Sequence, residues 1–169
     1  MKKIVSVALA LAMLLLSVLT LASCDTQAAK TPAEKIEAGE PLKVGVIQYM
    51  SHPSLDNCYD GIMQALNESG LDFTANRQVG SSNSADADCA NFANNMVADN
   101  CDLIIAVATP AAKSAFAATD DTDIPVIFCA VSDPEAAGIV ESNQAPGYLC
   151  TGTSDVLDLE AQVDMIQTL

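Results

Sequence analysis

Asp102-Leu103-Ile104-Ile105-Ala106-Val107-Ala108 runs directly into Thr109-Pro110-Ala111-Ala112-Lys113-Ser114-Ala115-Phe116-Ala117-Ala118-Thr119. After Asp102 the first stretch is apolar without alternation, and too short for a helix of its own. That is the pattern of a strand buried on both faces. Proline fits the start of a helix, because its missing N–H has no partner there in any case, and the alanines carry a helix over Pro110–Thr119. The same strand-helix pairing recurs on both sides. Downstream, Ile124–Val131 (IPVIFCAV) is a second buried strand, a short helix is expected over Pro134–Val140, and a fifth strand over Tyr148–Thr153. Upstream, Lys43–Tyr49 (KVGVIQY) is the first strand. A helix over Leu55–Ser69 puts Leu55, Cys58, Tyr59, Ile62, Met63 and Leu66 on one face and ends at Gly70. Phe73–Val79 is a weaker strand. Ser84 or Asp86 caps a helix that reaches Asp99 with Cys89, Phe92, Ala93, Met96 and Val97 inward. Strands that alternate with helices in this way predict an α/β fold: a Rossmann-like, doubly wound parallel sheet covered on both faces.

Composition narrows the function. The 169 residues carry 7 Lys+Arg against 22 Asp+Glu, a net charge of −15. An acidic surface without a basic patch repels phosphate backbones, which excludes nucleic acid as a partner. Aromatic residues make up 4% and Trp is absent, so the core must come from Ala, Val, Ile and Leu. The length suits one domain.

The amino terminus reads as an address. Lys2 and Lys3 precede an apolar run from Ile4 to Leu21, then Leu21-Ala22-Ser23-Cys24. Charged start, apolar middle and small residues mark a secretory signal over 1–23. The tetrapeptide resembles the bacterial lipoprotein box, which implies that Cys24 is diacylated and anchors the protein to the membrane on its extracytoplasmic face. Residues 24–42 are then the lipidated cysteine and a flexible polar tether. Five further cysteines, Cys58, Cys89, Cys101, Cys129 and Cys150, form no CxxC or other metal-ligand spacing, so no metal site is expected. They are read as mostly free thiols.

Ligands of open α/β sheets bind beyond the carboxyl ends of the strands. Three of those ends carry a proline near the first helical position: Ser51-His52-Pro53-Ser54, Thr109-Pro110-Ala111-Ala112 and Ser132-Asp133-Pro134. Thr109 and Asp133 are natural caps. Helix starts converging on one edge offer unpaired N–H groups to a carboxylate, and Asp133 offers a negative partner to an ammonium. Together they suit an α-amino acid. His52 is the only histidine, and both a pocket role and a plain loop position stay open for it. No Gly-x-Ser-x-Gly elbow, phosphate-binding loop or Gly-x-Gly-x-x-Gly fingerprint occurs, so no cofactor is expected. Asp120-Asp121-Thr122-Asp123 lacks the Gly and terminal Glu of a calcium loop and reads as a solvated turn.

The ordered blocks KVGVIQYMSHPSLD, CDLIIAVATPAAKSA, IPVIFCAVSDPEAAGIV and TGTSD resemble the tryptophan/tyrosine-type substrate-binding lipoproteins of ABC transporters. The resemblance spans Lys43 to Asp155. It implies a two-lobed periplasmic-binding-protein fold that closes on a small ligand, commonly an aromatic amino acid, and delivers it to an ABC permease and its ATPase. By the same resemblance, Gln48, His52, Pro53, Ser54 and Leu55 form the first ligand-facing turn. Thr109, Pro110, Ala111 and Ala112 form the carboxylate-binding helix start, Ser132, Asp133 and Pro134 line the remaining wall, and Thr153, Ser154 and Asp155 cross toward the second lobe. Residues 43–154 are then the first lobe. Residues 155–169, an amphipathic helix with Leu157, Leu159, Val163, Met165 and Ile166 that stops without a cap, are read as the opening of an incomplete second lobe. The reading is a non-enzymatic solute-binding protein. A different solute, a surface enzyme using Asp133 and His52, and a fragment without binding of its own stay open as alternatives.

Overall fold

Five parallel strands form the sheet of a computed structural model that describes residues 30–156 and 158–167. In chain order the elements are α1 (Pro32–Ala38), β1 (Leu42–Gln48), α2 (Pro53–Glu68), β2 (Phe73–Val79), α3 (Ala85–Ala98), β3 (Leu103–Val107), α4 (Thr109–Ala118), β4 (Val126–Val131), β5 (Cys150–Ser154) and α5 (Leu159–Gln167). The strand order is β2-β1-β3-β4-β5. The chain steps one way from β1 to β2 and then returns across β1 to build β3, β4 and β5. The order therefore reverses between β1 and β3. The α/β expectation holds. The expected leader and Cys24 lie outside the described residues, and among those described no helix is long and apolar enough to cross a membrane.

Two apolar layers hold the sheet. On one face α2 lays Tyr59, Ile62 and Leu66 over Leu42, Val44, Val46 and Ile105. On the other, α3 and α4 pack Cys89, Ala93, Met96, Ala111, Ala112 and Ala115 against Ile47, Ile104, Ala106, Val126 and Phe128. Each Val, Leu, Ile, Met or Phe side chain fully buried there contributes about 1.5–3 kcal/mol, and each alanine methyl less. Small residues are what let these layers meet: a side chain at Gly45 of β1 would collide with that of Met96. The expected cover on both faces is complete only at the centre of the sheet. In β5 only Cys150 is buried, while Thr151, Gly152, Thr153 and Ser154 are exposed. On α5 the apolar side chains of Leu159, Val163, Met165 and Ile166 are exposed too.

Two local expectations need correction. The polar stretch read as a tether contains α1. Thr31 and Glu34 form a reciprocal capping box, Pro32 stands at the helix start, and Gly39 ends the helix at φ 66°. Seven residues are marginal as an isolated helix. Lys35 fastens this one by donating to the buried carboxylate of Asp102 at 2.8 Å, and Asp102 also accepts the Lys43 N–H at 2.8 Å. The second correction is Pro134–Val140, a turn rather than a helix. Asp133 Oδ1 accepts the Ala136 N–H at 2.9 Å, Ile139 N–H closes back on the Pro134 carbonyl, and Gly138, at φ 72°, stops propagation.

Candidate ligand-binding edge

The carboxyl ends of β1, β3 and β4 are neighbours in the sheet, so the topology brings the three proline-marked segments to one edge. The helices that follow β1 and β3 lie on opposite faces, since α2 packs in one apolar layer and α4 in the other. A crevice at the carboxyl end of the sheet, where strand order reverses, is the usual ligand position of open α/β folds. Here the reversal falls between the start of α2 and the start of α4.

At the start of α2, Ser51, His52, Pro53 and Ser54 are exposed and Leu55 is half-buried. His52 is the N-cap, its Nδ1 accepting the Ser54 N–H at 3.2 Å. This gives the histidine a helix-capping role and leaves its ring at the edge. Gln48 is placed differently from the other residues of this turn: it is fully buried beneath α2. Its Nε2 donates to the Met50 carbonyl at 2.7 Å and to Asp56 Oδ1 at 3.0 Å, and its Oε1 accepts Arg77 Nη2 at 2.6 Å. Arg77 Nη2 also reaches Asp56 Oδ1 at 2.6 Å, and the guanidinium lies 3.9 Å from the Tyr59 ring centre. The Gln48 amide and then Arg77 hold the Asp56 carboxyl below its ordinary value. Beside this cluster the Asp86 carboxylate, with some burial, pushes the Tyr49 phenol above its own.

Asp56 and Arg77 were not among the expected site residues. The available signal was Gln48 itself, a polar residue ending an apolar strand. A buried amide must find partners, and Arg77 is the single arginine of the chain.

At the start of α4 the expected cap is displaced by one residue. Thr109 is the first helical residue, and Ala108 is the N-cap, with no side-chain hydrogen bond. Ala108 has φ 81° and ψ 155°, a conformation that is almost confined to glycine and costs about 1–3 kcal/mol. The first bond of the helix is the one Ala112 donates to the Ala108 carbonyl at 3.0 Å. The N–H groups of Thr109 and Ala111 precede it, and Pro110 has none to offer. Ala111 and Ala112 are fully buried, so neither presents a side chain or an N–H at the surface, and the expectation that they face the ligand is corrected to one of packing beneath the edge. On β4 a register shift against β5 falls between Phe128 and Val131, and Ala130 within it has φ 56°. Ser132 and Asp133 then emerge exposed. Among the described residues no group of three or more His, Cys, Asp and Glu is arranged to hold a metal ion.

Known proteins resemble this chain in sequence and fold. A curated tyrosine-binding protein of Clostridioides difficile is 35% identical over 147 residues, which is 86% of this chain and 42% of that protein. A crystal structure of an ABC domain from Streptococcus pneumoniae in complex with L-Trp superposes with a TM-score of 0.68 at 36% identity, over 77% of this chain and 44% of that one. A conserved domain protein of Vibrio cholerae superposes with a TM-score of 0.70 at 30% identity, over 76% and 43%. The chain thus spans less than half the length of these relatives. Residues 43–169 match the family described as ABC transporter substrate binding protein, and this chain belongs to that family.

Proposed function

We propose that the chain forms one wall of an extracytoplasmic amino-acid-binding site, and that an aromatic amino acid is received where strand order reverses between β1 and β3. The observation that carries this reading is the start of α4. A strained Ala108 turns the chain so that the start of α4, free of bulky side chains, brings the Thr109 N–H to the edge. A carboxylate is the ligand group that such an end stabilises. Exposed Asp133 on the neighbouring strand end suits the ammonium, and the His52 ring together with Tyr49 suits an aromatic side chain. The family, and relatives that bind tyrosine and L-Trp, support the same class of solute. In this reading the protein is a binding component rather than an enzyme. It is held to the membrane through Cys24 and passes its ligand to an ABC permease and ATPase.

The absence of Trp from the chain makes the test direct. L-Trp excited at the red edge of its absorption then emits against no protein background. Binding should raise its anisotropy and shift its emission, with L-Tyr and L-Phe competing. No change with L-Trp, and no rise in melting temperature with L-Tyr or L-Phe, would sink the amino-acid reading.

A further inference from the structure

We propose that Arg77, on β2 and outside the ligand-facing segments, is the positioning residue that holds the His52–Leu55 turn in its receiving shape; this rests on the reading of that turn given above. Ser51, His52, Pro53 and Ser54 are exposed, so burial does not fix them. Hydrogen bonds at the two ends of the turn do. The Met50 carbonyl is held by Gln48 Nε2, and the Asp56 carboxylate is held by the same Nε2 and by Arg77. Asp56 in turn donates its N–H to the His52 carbonyl at 2.9 Å. One buried amide therefore clamps both ends, and its orientation decides whether it can. Arg77 Nη2 supplies that orientation: by donating to Gln48 Oε1 it commits the oxygen, leaving Nε2 to face Met50 and Asp56. Its charge also balances the Asp56 carboxylate beside a fully buried side chain. The Tyr59 ring fixes the plane of the guanidinium so that one nitrogen serves both acceptors. Lysine offers the charge without the planar group that stacks on the ring.

The test is amide hydrogen exchange on the full chain, read beside L-Trp affinity. In Arg77→Met the amides of Ser54 and Asp56 should exchange about tenfold faster, equivalent to about 1.4 kcal/mol, while those of Ile104–Val107 in β3 keep their protection. Arg77→Lys should leave the turn loose as well, and L-Trp should bind about tenfold more weakly to both variants. Unchanged exchange in the turn of Arg77→Met, or full restoration by Arg77→Lys, would overturn the proposal. Should Arg77→Met fail to fold, Arg77→Lys and Asp56→Asn carry the same comparison. Exchange needs no ligand. A native protein that ignores every aromatic amino acid would therefore sink the functional reading, while the exchange data still decide the role of Arg77.

Discussion

Ala108 donates its backbone N–H to the carbonyl of Cys129 across 2.9 Å. The bond continues the β3–β4 ladder one step past the pair Val107 and Cys129, and the next residues on the two strands are the alanines with positive φ. Ala108 turns β3 into α4, and Ala130 bulges β4 toward the Ser132–Asp133 corner. Two adjacent strand ends thus carry backbone strain at the one edge where helix starts converge. Such strain persists only where the surroundings over-determine it, and it gathers at functional sites.

Relieving the strain at Ala108 should stabilise the protein. Ala108→Gly removes a cost of about 1–3 kcal/mol and adds about 0.4–1 kcal/mol of unfolded-chain entropy. The expected net gain is about 1 kcal/mol, visible as a higher urea midpoint with an unchanged slope. Ala108→Val should move the midpoint the other way, because a β-branched side chain tolerates this backbone still less. Equal midpoints for all three proteins would show that Ala108 is unstrained.

Gly80 ends β2 beside the same edge, and it stands there for lack of room. Its N–H donates to the Gln48 carbonyl at 3.0 Å, and a Cβ at this position would run into the Tyr49 carbonyl and crowd Ala85. The nearest obstacle is backbone, which cannot swing aside. Gly80→Ala should therefore cost about 2–3 kcal/mol in urea unfolding. A loss within half a kcal/mol would mean that β1 and α3 separate easily here.

The reach of sequence reasoning follows from which interactions are local. DLIIAVA and IPVIFCAV declared strands because apolar continuity is written in consecutive residues, and Gly70 marked its helix end for the same reason; the burial expected of IPVIFCAV is only partial, since Ile127 of β4 is exposed. The capping signals of TPAEKIEAG were equally local. The segment is polar and short all the same, and the stabilising partner of Lys35 is Asp102, far away in the chain. Gly138 similarly stops the turn after Asp133 before it can become a helix. At the candidate site, the proline-marked ends were legible from spacing alone. The Gln48–Asp56–Arg77 cluster was not, since it exists only through the parallel register that sets Arg77 beside Val46. The positive φ of Ala108 has no signature in an alanine.

The described cysteines are all free, and their burial orders their reactivity. Cys89 and Cys150 are 0% and 2% exposed, and burial pushes both thiols up to about 11; Asp86 and Asp88 add to the effect at Cys89. Thiolate is the reactive species, so both should resist alkylation in the native state. Cys58, half-buried on α2, should be labelled well before them. Mass spectrometry of peptides after a short iodoacetamide pulse checks the order, and early labelling of Cys89 would show that α3 lifts from the sheet.

Asp102 ties the first helix to the sheet. Asp102→Ala strands the Lys43 N–H and releases Lys35, at an expected cost of about 2–3 kcal/mol. Lys35→Met removes a partly exposed partner and should cost no more than about 1 kcal/mol. Both changes should open the segment around α1 to a protease sooner than any other part of the fold. Equal proteolysis of the two variants and the native protein would mean that the ion pair does not hold α1.

The Asp56 carboxyl is held below its ordinary value, first by Gln48 and then by Arg77. A group whose folded value is depressed stabilises the fold above its unfolded value and loses that contribution as pH falls through the folded one. Asp56→Asn should therefore lower the urea midpoint at neutral pH, and the gap should close only below the usual carboxylate range. Asp88 is depressed by a separate cause, the Ser81 N–H and hydroxyl and then Ser84, so part of the acid slope must survive in Asp56→Asn. A gap that stays constant down to strong acid would show that the carboxylate charge contributes nothing, and that shape alone decides the effect at residue 56.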